Sequence, residues 1–597
     1  METLLNKAQA HAQAARFPEF LALCSQITTA SQDDLAALLD VGSLLSNFGF
    51  STPAHASFER ARVIAPEDLR AVVNLANLAR DRGDHSRARF LYDSLLKSLP
   101  NKPVIQRNAV ISLEYDPNAS DKNRLAAACA WGEWAISRAG SPIRRPVVQS
   151  LVSRPLRVGY VSADFCQHTV GLFVRGVLAA HDWGRIIPFA YSAGHVSDWV
   201  SDEIKSVTTF RDIQMLDDRA LAERIASDAI DVLVDLSGHT AGSRLTVFAY
   251  RPAPVMVSWL GYFATTGLPY MDAVLLDEWH APIGSEDTFV EPIIRLPQRL
   301  CYTPVPWMPE VPPAAFIRNG HITFGSFNNT AKLNTDVLKL WARILLSVPG
   351  SRLVLKWRTF NDAALRQKTI SILEEEGVEP DRIELRGPSF HVDLLKEYGD
   401  IDIALDPFPF TGGLTSCEAL WMGVPVVTWP QSRVVSRQTY AFISQIGLPE
   451  LAARDAEDYV NIAMRLANDR QRLRKLRATL RERMAASPLC DVAGFTRGLE
   501  DTLYRLFHEV ELSAQNGENT EATYDHKETG QFAMTEDQKI TIDGKDYALS
   551  EMSDAAKEQL NNLQITEQEI QRLNTQVAIA QTARATYAHA LKTALDG

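Results

Sequence analysis

The 597-residue chain predicts two α/β halves behind an all-α helical solenoid, followed by a small β-hairpin plus long-helix module. Three observations carry that expectation. From residue 154 onward, short apolar runs alternate with polar helical segments, in two blocks divided by the Pro-rich stretch TPVPWMPEVPPAAF. The first third holds a repeat of period 34. A Gly-rich turn joins a buried strand to a helix in DIALDPFPFTGGLTSCEALWMGVPVVTWP, beginning at Asp402.

In the repeat, Gly49, Ala54, Phe58, Ala61 and Pro66 recur as Gly83, Ala88, Tyr92, Leu95 and Pro100. Small residues at a helix crossing, an aromatic on the second helix and a closing proline match the tetratricopeptide pattern. Residues 1–115 are read as such repeats, with 1–32 a degenerate leading pair. Helix pairs of this kind stack because one pair cannot bury its apolar face alone, and their concave surface takes peptides or partners. Residues 116–153 supply a connecting helix with Trp131 and Trp134, then the Pro/Arg-rich junction SPIRRPVVQSLVSRP.

Residues 154–310 form the first α/β half, with strands in LRVGYVSADF, IIPFAYSA, IDVLVDLSG, PVMVSWLG and MDAVLLDE. Residues 311–510 form the second, with strands in ITFGSFNN, RLVLKWR, RIELRG, IDIALD and VPVVTW. Helices close it, and the last, from Val492 to Phe507, is expected to pack back across the halves. Two such halves predict a cleft where strand carboxyl ends face each other. Residues 511–533 are polar and aperiodic, and are read as a flexible linker. In 534–597, KITIDGKDYAL alternates around Asp543-Gly544, a hairpin signal. From about Ser553 the heptad spacing of Leu563, Ile570 and Val577 predicts a coiled-coil-like helix.

Composition bounds the function. A net charge of −12 and a pI near 5.6 leave no basic excess for a general nucleic-acid binder. Six scattered cysteines without a CxxC read as reduced thiols of a cytoplasmic protein. No signal-peptide core or membrane-spanning run appears, so a soluble protein is expected. Gly412 and Gly413 let backbone approach a ligand, and the following helix aims unpaired N–H groups and a positive dipole end at it. That arrangement suits a diphosphate, with Glu418 one turn on able to accept from a ribose. An ordinary strand–turn–helix of an α/β domain would look the same.

The motifs LRVGYVSADFCQH, DLSGHTAGSR, RPAPVMVSWLGYFATTGLPYMDAVLLD, FGSFNNTAKL, DPFPFTGG, ALWMGVPVVTW and RMAASPLCD resemble the catalytic region of O-linked N-acetylglucosamine transferases. That group includes SPINDLY-type fucosyltransferases. The resemblance runs from about Arg154 to Phe507, and tetratricopeptide repeats in front are also the family's architecture. It implies a GT-B fold of two Rossmann-like domains and a bacterial protein O-glycosyltransferase. The implied donor is a nucleotide diphosphate sugar, UDP-GlcNAc or UDP-Glc, used as co-substrate with no other cofactor and no metal. The implied acceptor is Ser or Thr of a protein or peptide, reached with inversion at the anomeric carbon.

Carried over residue by residue, His168 matches the active-site histidine and Asp164 a second polar group on the same turn. Lys332 falls where a lysine meets the donor diphosphate, with Asn329 near the nucleotide. Gly412, Gly413, Leu414 and Thr415 match the phosphate loop, Glu418 the ribose acceptor, and Arg437 a residue that helps close the site. A histidine near neutral pKa can take or relay the hydroxyl proton, while an ammonium and helix amides stabilise the leaving charge. His239 either borders the cleft or caps a turn, and His391 is read as exposed loop. Asp400-x-Asp402 looks like a metal-binding DxD, but Asp402 begins a buried strand and the resemblance implies no metal.

Four positions depart from the family pattern: Leu414 for Thr or His, Leu394 for His, and Phe263-Ala264 for Pro-Gly. These leave room for a catalytically degenerate repeat-based adaptor, or for epimerisation or hydrolysis on the same fold. The 534–597 module is expected to be an acceptor or docking partner, with Ser550, Ser553 and Thr541 as candidate sites. Tethering would favour modification in cis. A homo-oligomerising helix or an engineered fusion would account for it as well.

Overall fold

The computed structural model describes residues 2–140, 154–515, 539–542 and 545–548. It divides into two compact units, Met1–Glu518 and Asn519–Gly597. In the first, two all-parallel sheets share a strand order. The first lobe holds β1 (Leu156–Ser162), β2 (Ile186–Ser192), β3 (Thr209–Asp212), β4 (Val232–Asp235), β5 (Val255–Trp259), β6 (Ala273–Leu276) and β7 (Ile293–Arg295). They lie in the order β3-β2-β1-β4-β5-β6-β7. The second lobe holds β8 (Thr323–Ser326), β9 (Arg352–Lys356), β10 (Ile383–Arg386), β11 (Ile403–Leu405) and β12 (Val426–Val427), ordered β10-β9-β8-β11-β12.

The central strands are continuous apolar runs because helices cover both faces of a parallel sheet. β1, β4 and β5 are buried almost throughout. Winding outward from the first strand of each sheet in both directions creates a switch point, between β1 and β4 in one lobe and between β8 and β11 in the other. Loops at the carboxyl ends of strands diverge there and leave a crevice. The closing helix, Val492–Gln515, returns to the first lobe. Its Glu500 lies 3.0 Å from His181 Nδ1 and accepts from Arg185 Nη1 (3.1 Å), while the Tyr504 hydroxyl donates to Arg185 O (2.6 Å).

The N-terminal helices come in repeats, and the repeated positions are buried: Ala54, Phe58 and Ala61 in one, Ala88, Tyr92 and Leu95 in the next. The leading segment forms its own pair, Glu2–Gln13 and Phe17–Ala30. The repeated glycines serve the junction with the second lobe. Gly49 and Gly83 take φ of +86° and +74°, and a Cβ on them would sit 2.1 Å from Arg358 O and 3.0 Å from Leu333 O. Beside them Thr52 N–H and Oγ1 donate to Asp362 (2.6 and 2.9 Å), and Thr330 Oγ1 donates to Asp81 O (2.7 Å). The buried Arg433 guanidinium donates to the carbonyls of Leu113, Glu114, Asp116 and Ala119, where the repeats end. Repeat array and lobes are therefore one packed body.

In the second unit, strands β13 (Lys539–Ile542) and β14 (Lys545–Ala548) pair antiparallel, with Ile542 opposite Lys545. That register fits the hairpin expected around Asp543-Gly544. Thr541, one of the candidate acceptor sites, is a strand residue opposite Asp546. Ser550, Ser553 and the expected long helix lie outside the described residues, as do the linker and most of the Pro/Arg-rich junction. Among the described residues, no helix is long and apolar enough to cross a membrane.

Candidate functional site

The second lobe's switch point gathers most of the expected residues. After β8 the chain enters a short 3-10 turn, Thr330–Lys332, capped by Asn329, whose side chain accepts from Ala331 N–H (3.0 Å). The turn delivers Lys332 Nζ to 2.8 Å from Thr411 O and 3.3 Å from Asn328 Oδ1. Thr415 Oγ1 donates to that same Asn328 oxygen (3.2 Å). Lys332 and the Gly412–Thr415 turn thus share one site. The ammonium also lies 4.6 Å from the centre of the Phe410 ring. Burial pushes the lysine down to about 8, with Asp406 pulling the other way.

Asp406 holds the turn from beneath. Its carboxylate accepts Gly412 N–H (2.7 Å) and the Thr428 hydroxyl (2.7 Å). Burial raises it to about 6, opposed by the hydrogen bonds from Thr428 and Gly412 and more weakly by Lys332. A Cβ at Gly412 would meet Ser416 Oγ at 2.1 Å, so a side chain there would displace the Ser416 hydroxyl from its bond to Thr439. The helix Leu414–Trp421 begins at Gly413, and Cys417 N–H makes the i→i−4 bond to Gly413 O (3.2 Å). The amides of Leu414 and Thr415 precede that bond, in the first turn of a helix, the position that suits an anion.

Glu418 is buried and lies 2.7 Å from Nε2 of His391. His391 is therefore not exposed loop. It opens the helix His391–Glu397, and its ring stands edge-on to Trp307 at 6.1 Å. Leu394, one turn later, packs against the core. Arg437 spends its guanidinium on Trp279 O (2.6 Å) and Gln431 O (3.2 Å), tying the second lobe to the first. Asp400 pairs with Arg318 and Arg386, and both Asp402 oxygens accept backbone N–H groups of Phe316 and Thr323. These two carboxylates hold structure together.

The first lobe's switch point presents His168, the N-cap of the helix Thr169–Ala180. Its Nδ1 accepts from Val170 N–H at 3.4 Å and lies 3.6 Å from Asp164 Oδ1, with half the side chain (49%) exposed. Burial raises the Asp164 carboxyl, and His168 opposes it. His239 does not border the cleft. It is fully buried, donates from Nε2 to Thr266 O (2.9 Å), packs on Trp131 and Tyr262, and is held down to about 3 by burial. Phe263 reaches across the lobes, its ring 5.2 Å from Phe410 and nearly perpendicular to it.

Sequence reasoning passed over Asn328, Asp406 and Phe410. The signal for Asp406 was present, since an acidic residue closing a buried strand must find partners. Nothing in the sequence tied Asn328 to Thr415 or Phe410 to Lys332, because those pairings exist only once β8 and β11 lie side by side.

Two all-parallel sheets of one strand order, one in each lobe, match the two-lobed architecture of GT-B glycosyltransferases. The chain belongs to glycosyl transferase family 41, whose description it matches over residues 139–302 and 316–499. A probable SPINDLY UDP-N-acetylglucosamine–peptide N-acetylglucosaminyltransferase of Petunia hybrida is 39% identical over 414 residues, covering 68% of this chain and 44% of that protein. A Caenorhabditis elegans protein named for the same activity is 24% identical over 475 residues, covering 60% of this chain and 41% of that one. The chain thus spans under half the length of these relatives. Among solved structures, a lysine variant of the Thermobaculum terrenum O-GlcNAc transferase is similar, with 33% identity and a TM-score of 0.77. That match covers 86% of this chain and 99% of the other.

Proposed function

We propose that this chain is an inverting protein O-glycosyltransferase that moves a sugar from a UDP-linked donor, UDP-GlcNAc or UDP-Glc, onto Ser or Thr of a protein acceptor. The observation that carries the reading is Lys332 Nζ, 2.8 Å from Thr411 O and sharing Asn328 with Thr415 at the start of the phosphate turn. The family and the printed activities of its relatives support the substrate class.

As the donor's anomeric bond breaks, negative charge grows on the departing diphosphate. Lys332 and the amides of Leu414 and Thr415 stabilise it in place, which requires no metal. Asn329 and Glu418 line the nucleotide side, Glu418 with its carboxylate oriented by His391, and Arg437 keeps the lobes together over the site. The acceptor hydroxyl attacks from the first-lobe side, where His168, oriented by Asp164, takes or relays its proton. Attack opposite the leaving group inverts the anomeric carbon. The six unpaired cysteines support a cytoplasmic setting.

Purified protein incubated with UDP-GlcNAc, UDP-Glc and GDP-fucose plus candidate acceptors, followed by intact mass, tests the reading. It predicts one or more added N-acetylhexosamine or hexose units from a UDP donor. Nucleotide binding with no transfer from any donor would instead favour a degenerate, adaptor-like protein. The 534–597 module is proposed as one acceptor or docking partner, and peptide mapping of Ser550, Ser553 and Thr541 checks it. Sugar found only on other proteins would remove that part.

A further inference from the structure

Tyr115 brings the helical repeats against the loop that leads into the phosphate turn. Tyr115 ends the helix Pro103–Tyr115, and its ring stacks on Phe410 with centroids 4.4 Å apart and planes 25° from parallel. Phe410, buried in the loop after β11, meets the edge of Phe263 from the first lobe and carries the Lys332 ammonium 4.6 Å from its centre. One phenyl ring therefore touches the repeat array, both lobes and the lysine. A cation over an aromatic face gains more as it loses water, and here the ring is buried and the lysine half-buried.

A second contact ties the Thr330–Lys332 turn to the repeats. Thr330, two residues before Lys332, donates to Asp81 O, and Asp81 pairs with Arg80 (2.9 Å), whose guanidinium lies 6.0 Å from the Tyr115 ring. The charged and titratable groups around the stack are Asp406 below Lys332, Arg80 and Asp81 beside Tyr115, His85 stacked near it at 6.4 Å, and Arg299 against Phe263 at 5.2 Å.

We propose that Tyr115 is a positioning residue for the donor site: by clamping Phe410 it holds the Lys332 ammonium at the phosphate turn, so the repeat array completes the site. This rests on Lys332 as the diphosphate ligand. Nothing in the packing of a Rossmann lobe calls for such a clamp, since Tyr115 comes from a different layer of the molecule. It makes the repeats more than a surface that captures acceptors. A partner that shifted the last repeat would change donor binding.

Titration calorimetry of UDP and GDP against the full chain tests it, in the wild type, Tyr115→Phe, Tyr115→Ala, Lys332→Ala and the double Tyr115→Ala/Lys332→Ala variant. Thermal melts accompany each, and Tyr115→Leu replaces Tyr115→Ala should that variant not fold. Tyr115→Phe, which keeps the ring, is expected to bind within about twofold of wild type. Tyr115→Ala is expected to lose about tenfold, and adding it to Lys332→Ala to cost little more, because the two act through one contact. Unchanged affinity in Tyr115→Ala, or losses that simply add in the double variant, would overturn the proposal and leave Tyr115 as packing. A wild-type protein that binds neither nucleotide would remove the donor-site reading itself, an outcome told apart by the absence of any reference affinity.

Discussion

The two lobes place their candidate residues at the same topological position but build them in opposite ways. In the second lobe every group at the switch point is already held: Lys332 by Thr411 O and Asn328, Gly412 by Asp406, Asp406 by Thr428. In the first lobe His168 stands half exposed, with contacts of 3.4 and 3.6 Å to Val170 N and Asp164. The difference tracks what each half must do. Stabilising a leaving diphosphate works best with charges that need not move, whereas a proton-transfer group often tightens only once substrate is present. Under the proposed function, the donor half is preorganised and the acceptor half is left open.

That contrast breaks first at the two candidate catalytic side chains. His168→Ala is expected to lower kcat about 10²- to 10⁴-fold while leaving UDP affinity unchanged, which paired steady-state kinetics and calorimetry would show. A matching loss of UDP affinity would place His168 with the donor. Lys332→Ala is expected to cost about 10²- to 10³-fold in rate and to weaken UDP as well. Full activity in that variant would remove its role.

The pH profile sharpens the contrast. Lys332 sits near 8 rather than at its ordinary 10.5, so kcat/KM should fall as pH rises through about 8 in the free enzyme. Bound diphosphate favours the ammonium, so kcat should hold to higher pH. Asp406→Asn removes the carboxylate that pulls Lys332 up, and should move the alkaline fall of kcat/KM to lower pH. A flat profile between pH 7 and 9 would contradict both expectations. For stability the sign is reversed at Asp406. Its folded carboxyl keeps a proton up to about 6, whereas the unfolded one releases it near 3.8, so its contribution declines as pH rises through that window. Asp406→Asn should flatten that part of the wild-type curve in urea titrations.

Two smaller effects concern the seam between repeats and lobes. Arg433→Met leaves four main-chain carbonyls without their buried donor, and should destabilise by on the order of 3 kcal/mol. Thr330→Val removes the bond to Asp81 O at about 1 kcal/mol. Both are read from urea unfolding; equal midpoints for Arg433→Met and wild type would show that this seam is not a stabilising contact.

Most of the fold was legible because buried parallel strands are written as uninterrupted apolar runs, as in LRVGYVS and IDIALD. β3 and β7 escaped notice since they are short edge strands, TFRD and IIR, only partly buried and too brief to show a pattern. The glycines at 412 and 413 were legible as a close-approach turn. The role of Asp406 could be read from its place at the end of a buried strand, but the pairing of Glu418 with His391 could not. A polar segment such as SFHVD reads as loop until the fold brings Glu418 under it. Leu394 shows the same limit: a missing imidazole at one position says nothing about another supplied one helical turn earlier. Tyr115 was the least legible, because its partner lies in a different domain.

The claim on which the rest depends is that the diphosphate of the donor lies between Lys332 and the Gly412–Thr415 turn. A crystal structure with UDP tests it most directly. The account predicts phosphate oxygens within hydrogen-bond distance of Lys332 Nζ and of the Leu414 and Thr415 amides, with the lysine still held by Thr411 O. A diphosphate bound elsewhere, out of reach of Lys332 Nζ, would contradict it.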